Sequence, residues 1–241
     1  MKSPTVRAGR LLDAQLHLLD RQVLDRSGTP VTAVDDLELT DVPLGTDLAK
    51  VEPPVIENLL AGAVLGTRIF GGRTPDNRWH RIPWSVIAKL DVAISLEADA
   101  DDFDVRWSER WVRDRIVARI PGVAMILSDL LGTEVREADG TAVGRVIDAR
   151  FRLEGNTSPS RARLVGLIVS RGAVASYLGY ERTAASRPVL LDKLLRALHR
   201  GSFLVLWQDI ERIEEHQVLL RSGYERQSSV LDPDAQASSD R

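Results

Sequence analysis

The sequence predicts a mainly β protein in which two small β-barrels are joined by an α-helical linker. Three observations predict this fold class: one segment occurs twice, short apolar strands alternate with glycine turns, and a tryptophan-containing word follows the strands in each half. The chain has 241 residues, enough for one large domain or two ordinary ones. The predicted units are residues 1–98 and 123–225, with a helical linker at 99–122 and a disordered tail at 226–241.

The repeat is an ungapped similarity between residues 18–39 and 130–151, at a constant offset of 112 positions. Eight of the 22 aligned positions are identical, and Asp36 and Asp148 are one of these pairs. Self-similarity on this scale indicates two copies of one structural unit. Because the two aspartates match, we expect them to satisfy backbone groups of the fold rather than to bind a ligand.

Each copy carries the pattern of short strands joined by tight turns. Ser27-Gly28 and Asp139-Gly140 are turn pairs, since hairpins need a residue that tolerates a positive φ. After the second turn, alternate residues are apolar at Ala149, Phe151 and Leu153, which is the period of a half-buried strand. Further apolar strands are predicted at 163–169, 202–207 and 217–222. So many short strands in each copy bury one face by curling into a barrel or a tight sandwich.

The tryptophan words are IPWSVIAKLD at 82–91 and VLWQDIERIE at 205–214. Apolar residues recur every third position, which is typical of a helical turn rather than a strand. We expect these side chains to point inward and close the end of each barrel, as a structural plug; contact with a ligand is the alternative. The residues concerned are Trp84, Ile87 and Leu90 in the first copy and Trp207, Ile210 and Ile213 in the second.

The opening of the second copy, LLGTEVREADGTAVGRVID, resembles the start of a PRC-barrel domain, as do the later RLVGLIVSRG and LWQDIERI. The first copy is the more divergent, because Asp20 and Thr32 stand where the second has Gly132 and Gly144. The resemblance implies two compact PRC-type β-barrels. Members of that family occur in the photosynthetic reaction centre H subunit, in a ribosome maturation factor and beside magnesium-transporter domains. They share docking to a larger partner, not a reaction.

The linker at 99–122 is predicted to form a helix with two opposed apolar faces. Trp107 and Trp111 lie on one face, and Val112 and Ile116 lie on the other. Such a helix is either a strut between the two units or a contact with a second copy or a partner. Trp107 and Trp111 are therefore the candidate interface, because two aromatic side chains one turn apart suit an interface anchor.

A second amphipathic helix is predicted at 188–201, with a leucine stripe on one side and Lys193, Arg196 and Arg200 on the other. The leucine face suits cover of a core. The basic face suits contact with a partner or a peripheral contact with a membrane surface.

The sequence contains no recognisable catalytic constellation. It has no cysteine, which excludes disulfides, thiolate nucleophiles and cysteine-bound zinc. Its histidines at 17, 80, 199 and 216 are not spaced as metal ligands, and no phosphate-binding loop or nucleophile elbow occurs. We therefore expect a protein that is not an enzyme, with no cofactor and no metal site.

Charge and hydropathy narrow the expected partners. The net charge of −3 provides no basic field for nucleic acid. No uninterrupted apolar stretch is long enough for a signal peptide or a transmembrane segment, so a cytoplasmic location is expected. The preferred hypothesis is a docking or assembly module that binds a protein partner or itself. The alternatives are a cytoplasmic accessory of magnesium transport or membrane complexes, and an RNA-linked ribosome maturation factor.

Overall fold

The computed structural model describes residues 9–62, 80–98, 125–154, 159–171 and 201–231, and these are mainly β, as predicted. No helix in this part of the chain has the length and apolar composition that crossing a bilayer requires. The predicted helices at 99–122 and 188–201, including Trp107 and Trp111, lie outside the described residues except for Gly201.

The first half contributes eight strands and one short helix to the described chain. The strands are β1 (Leu11–Asp13), β2 (Gln22–Leu24), β3 (Pro30–Ala33), β4 (Asp36–Leu39), β5 (Ile56–Ala61), β6 (His80–Pro83), β7 (Ile87–Leu90) and β8 (Ile94–Leu96). The helix α1 (Ala14–His17) follows β1, and 3₁₀ turns occupy Leu48–Lys50 and Trp84–Val86.

The second half is built in the same way but with longer strands. These are β9 (Met125–Ile126), β10 (Glu134–Arg136), β11 (Ala142–Glu154), β12 (Arg161–Ser170), β13 (Ser202–Leu206), β14 (Ile210–Ile213), β15 (Gln217–Leu220) and β16 (Gln227–Ser228). The helix α2 (Leu127–Leu130) follows β9, and a 3₁₀ turn occupies Trp207–Asp209.

The two halves have the same order of strand pairing. In the second half the order is β14-β15-β10-β11-β12-β13, with β16 added at the edge. In the first half it is β7-β8-β2-β3 in one sheet and β4-β5-β6 in another, so the single strand β11 corresponds to β3 and β4 together. All three sheets are open within the described residues, because no strand pair joins their ends. The predicted closure of each copy into its own barrel is not observed there.

Each half gives its first strand to the other half. β1 pairs with β11 through Asp13 and Arg150, whereas β9 pairs with β4 through Ile126 and Glu38. An isolated bridge joins Val55 to Arg163, which are equivalent residues of the two halves, and so marks a pseudo-two-fold axis. The predicted units 1–98 and 123–225 are therefore interlocked, although the linker between them is not described.

Apolar side chains from both halves pack into one continuous cluster of buried residues, which includes Val23, Leu59, Phe151 and Val218. Ala149 and Leu153, predicted to share a face with Phe151, are buried in it as well. A small second cluster is formed by Ile147, Ile168 and Leu204.

The first part of the predicted tail is paired within a sheet. Gln227 and Ser228 lie opposite Leu204 and Phe203 of β13, and Ser229 is buried. The ordered chain therefore extends at least to residue 231, and residues 232–241 lie outside the described part.

The turn residues adopt the backbone that the sequence predicts. Gly28 and Gly140 have φ of 84° and 86° at the two hairpins. Asp20 has φ of 58° and occupies the place of Gly132, whose φ is 83°. Aspartate is among the few residues that visit this left-handed region, so the replacement of glycine keeps the turn.

The tryptophan words are helical for one turn only. Trp84 and Trp207 each begin a single 3₁₀ turn, and a strand follows at once. A bulge between Ile210 and Arg212 shifts the alternation by one residue, so that Ile210 and Ile213 are both buried. A strand with a bulge thus produced the three-residue spacing that the sequence pattern assigns to a helical turn.

Candidate partner-binding cleft

An open cleft of about 690 Å³ lies where the two halves meet. The first half lines it with the 3₁₀ turn and the loop after it, through Leu48 and Val51. The second half lines it with β11, β12 and the second tryptophan turn, including Leu164 and Trp207. This volume falls within the range of ligand-binding clefts.

Hydrogen bonds between the halves hold the walls of the cleft in place. Trp207 Nε1 donates to the backbone oxygen of Val51 at 3.0 Å. By the pseudo-symmetry, Trp84 Nε1 donates to the backbone oxygen of Pro159 at 2.9 Å. Each indole is buried, with 5% of Trp207 and 3% of Trp84 exposed. The bond of Trp207 therefore joins the second-half wall of the cleft to Val51 in its first-half wall, and Trp84 makes the equivalent bond on the other side of the pseudo-two-fold axis.

The 3₁₀ turn of the first half is capped by Asp47, whose Oδ1 accepts from the backbone N–H of Ala49 at 2.9 Å. The same oxygen accepts from Arg221 Nη2 at 2.5 Å. This bond from Arg221, followed by the one from Ala49, lowers the pKa of Asp47. The cap therefore links the turn to a cation of the second half.

Arginine side chains line the second-half wall of the cleft. Arg163 Nε lies 3.0 Å from Glu154 Oε1, and its Nη1 lies 3.2 Å from Glu52 Oε2. Arg152 is opposite Arg163 in the β11–β12 register and has no ion-pair partner among the described residues. Residues directly opposite in an antiparallel pair share a face, so the two arginine side chains project from the same face of the sheet.

The arginines are peculiar to one side of the pseudo-two-fold axis. Strand register places Thr40 and Val55 at the positions of Arg152 and Arg163, because both pairs follow the same bulge. Glu97 takes the place of Arg221, since each follows the last strand that the two halves have in common, β8 or β15, and donates its N–H to the tryptophan turn. The equivalent surface of the first half therefore lacks all three cations.

The matched aspartates connect the two halves. Asp148 Oδ1 accepts from the backbone N–H of Gln15 at 3.1 Å, and Asp36 Oδ1 accepts from that of Ser128 at 3.2 Å. Each aspartate thus satisfies a short helix of the other half, which agrees with the expectation that they serve backbone groups. Burial raises the pKa of Asp36, and burial followed by the charge of Asp13 raises the pKa of Asp148 to about 8.

A buried ion pair lies beside Asp148. Arg150 Nε and Nη2 donate to the two carboxylate oxygens of Asp13 at 2.6 and 2.9 Å, and Nη2 also donates to the backbone oxygen of Ser229. Less than a twentieth of either side chain is exposed. This pair joins β1 of the first half to β11 of the second, so it serves the exchange of strands.

The other predicted residues fall into the core or outside the described chain. Ile87, Ile210 and Ile213 are buried, whereas Leu90 is partly buried against the core. Trp107 and Trp111, the candidate interface, are not described and stay a prediction. His17 is held at Nδ1 by the backbone N–H of Asp13 at 3.0 Å, and burial lowers its pKa.

The cleft itself was not predicted from the sequence. Gapless alignment equates Arg152 with Thr40, but Arg163 and Arg221 match their counterparts at other offsets because the loops differ in length. The signal that could indicate the cleft is that the second copy has arginine at positions where the first copy does not. These positions can be matched only once the strand register is known.

Comparison of the sequence with protein-family models and with curated proteins gives no match.

Proposed function

We propose that the chain is a non-catalytic docking module made of two PRC-barrel-type units, and that it holds a protein partner in the cleft between its halves. The observation that carries this proposal is the cleft itself, which both halves line and which their mutual hydrogen bonds keep open. The PRC-barrel assignment rests on the resemblance of the motifs, and the common order of strand pairing supports two copies of one unit.

Pre-formed walls favour binding because little conformational freedom is lost when a partner enters. The partly buried apolar residues Val51 and Leu206 supply contact area, and the arginines along one wall supply direction and specificity. Docking of this kind requires no reacting group, and it matches the property that the resemblance implies.

Photo-crosslinking in the native host tests the proposal. A photo-reactive amino acid replaces Gln208 in the cleft, Trp111 in the linker, or Val92, which is 79% exposed outside the cleft. We expect position 208 to capture one discrete protein and position 92 to capture none. Capture from position 111 alone would show that the docking surface lies on the predicted linker helix and not in the cleft. If no position yields a discrete product, the docking function is wrong.

A further inference from the structure

The arrangement of charge in the cleft is costly for the fold alone. Arg152 and Arg163 are direct cross-strand partners, and like charges at such positions destabilise a sheet. The equivalent residues of the first half, Thr40 and Val55, lie just past the last ladder pair of β4 and β5 and are joined by hydrogen bonds without any charge. The first half thus brings its two strands together after the same bulge, over a shorter ladder, without arginine at either position.

The carboxylates that offset these charges are weakly held. Glu52 and Glu154, the partners of Arg163, have 89% and 42% of their side chains exposed. Asp47, the partner of Arg221, has 64% exposed. Exposed pairs of this kind contribute about 0–1 kcal/mol, so an incoming carboxylate can replace them at little cost.

Apolar side chains lie beside the cations in the same cleft. Val51 and Leu206, which are only partly buried, provide contact surface that a bare anion such as phosphate leaves unused. A suitable occupant carries carboxylates next to apolar side chains, and an extended protein segment presents both along one strand length. The negative net charge of the whole chain counts against nucleic acid as the source of the anion.

We infer that the cleft recognises an acidic, apolar segment of a partner protein, with Arg152 and Arg163 as the carboxylate-binding pair and Arg221 as a further cation at the rim. This inference rests on the proposed docking function and names the chemistry of the partner. Guanidinium groups suit this role because their fork of donors matches a carboxylate.

Selection of short random peptides displayed on phage against the immobilised full chain tests the inference. We expect the wild type to enrich peptides in which Asp or Glu stands next to Leu, Ile or Val. Arg152→Glu is the informative variant because Arg152 has no ion-pair partner among the described residues and faces Arg163, so the change breaks no described pair. The matched control is Arg171→Glu, which reverses an exposed charge outside the cleft lining.

The enriched peptide should bind Arg152→Glu at least about tenfold more weakly than wild type, equivalent to about 1.4 kcal/mol, and Arg171→Glu like wild type. Circular dichroism spectra and melting temperatures establish that both variants are folded. Enrichment of acidic peptides that persists on Arg152→Glu overturns the site. Enrichment without acidic residues, or displacement by inorganic phosphate alone, overturns the partner chemistry while the crosslinking result still decides docking. Failure to enrich any peptide also overturns the inference.

Discussion

Because the two halves exchange strands and share a core, we predict that they unfold as one cooperative body. The perturbations are Trp84→Ala and Trp207→Ala, one in each half. Each removes a buried indole together with a hydrogen bond to the backbone of the other half. Truncation of a buried aromatic to alanine costs about 3–5 kcal/mol, a large part of the roughly 5–15 kcal/mol that stabilises a typical native protein.

The size of the effect in urea follows from this cost. With a denaturant dependence of about 3 kcal/mol/M, a loss of about 4 kcal/mol lowers the unfolding midpoint by about 1.3 M. Both variants should show this shift in a single transition, with circular dichroism and fluorescence coinciding. Val92→Ala is the control, because a side chain that is 79% exposed contributes little packing.

Hydrogen exchange followed by mass spectrometry locates the loss. In either variant, protection should fall by the same amount in β5 of the first half and in β12 of the second, since these strands open only with the whole body. Independent domains would instead lose protection only in the half that carries the substitution. That outcome, or two separate urea transitions, would refute the interlocked fold and support independent folding of the units 1–98 and 123–225.

Two further predictions concern the buried charges. Because the pKa of Asp148 is raised to about 8, its carboxyl is neutral in the folded chain while it ionises in the unfolded one, so its contribution to stability is lost as pH rises from about 4 to 8. Asp148→Asn should therefore weaken the fall in unfolding free energy between pH 5 and 8 in urea titrations, and an equal loss of stability at both pH values would contradict the neutral carboxyl. Arg150→Met leaves the carboxylate of Asp13 buried and alone, which should cost about 3–5 kcal/mol. Lys89→Met removes a cation from an exposed pair with Asp91. This change should cost no more than about 1 kcal/mol, and similar costs for the two variants would show that the buried pair is unimportant.

The strands and turns were accessible from the sequence because their causes are local. A glycine at a hairpin and alternation of apolar residues depend on neighbours along the chain, and Gly28, Gly140 and the Ala149–Phe151 stretch followed these rules. In each tryptophan word, a single 3₁₀ turn accounts for the spacing from the tryptophan to the next isoleucine, but the following three-residue spacing comes from a bulge in a strand. No local pattern separates that spacing from a helical turn.

The exchange between the halves was not accessible for a different reason. A repeat in the sequence shows which residues are equivalent. It does not show whether β1 pairs with β4 of its own half or with β11 of the other half, and the same choice exists for β9. The choice depends on how the connecting segments run, which the residues that pair do not encode. Asp36 and Asp148 illustrate this: their match predicted that both satisfy backbone groups, but not that each group belongs to the other half.

Because of the repeat, the two halves of the molecule can be compared with each other. Residues that the shared scaffold needs recur on both sides of the pseudo-two-fold axis, as the indole bonds to Val51 and Pro159 do. A departure from this symmetry that also raises the energy of the fold needs another cause. The cross-strand pair of Arg152 and Arg163 is such a departure, because the first half has the uncharged Thr40 and Val55 after the same bulge, just past its last ladder pair. The function is therefore best sought where the two halves differ, in the arginine-lined cleft, rather than in the features that they share.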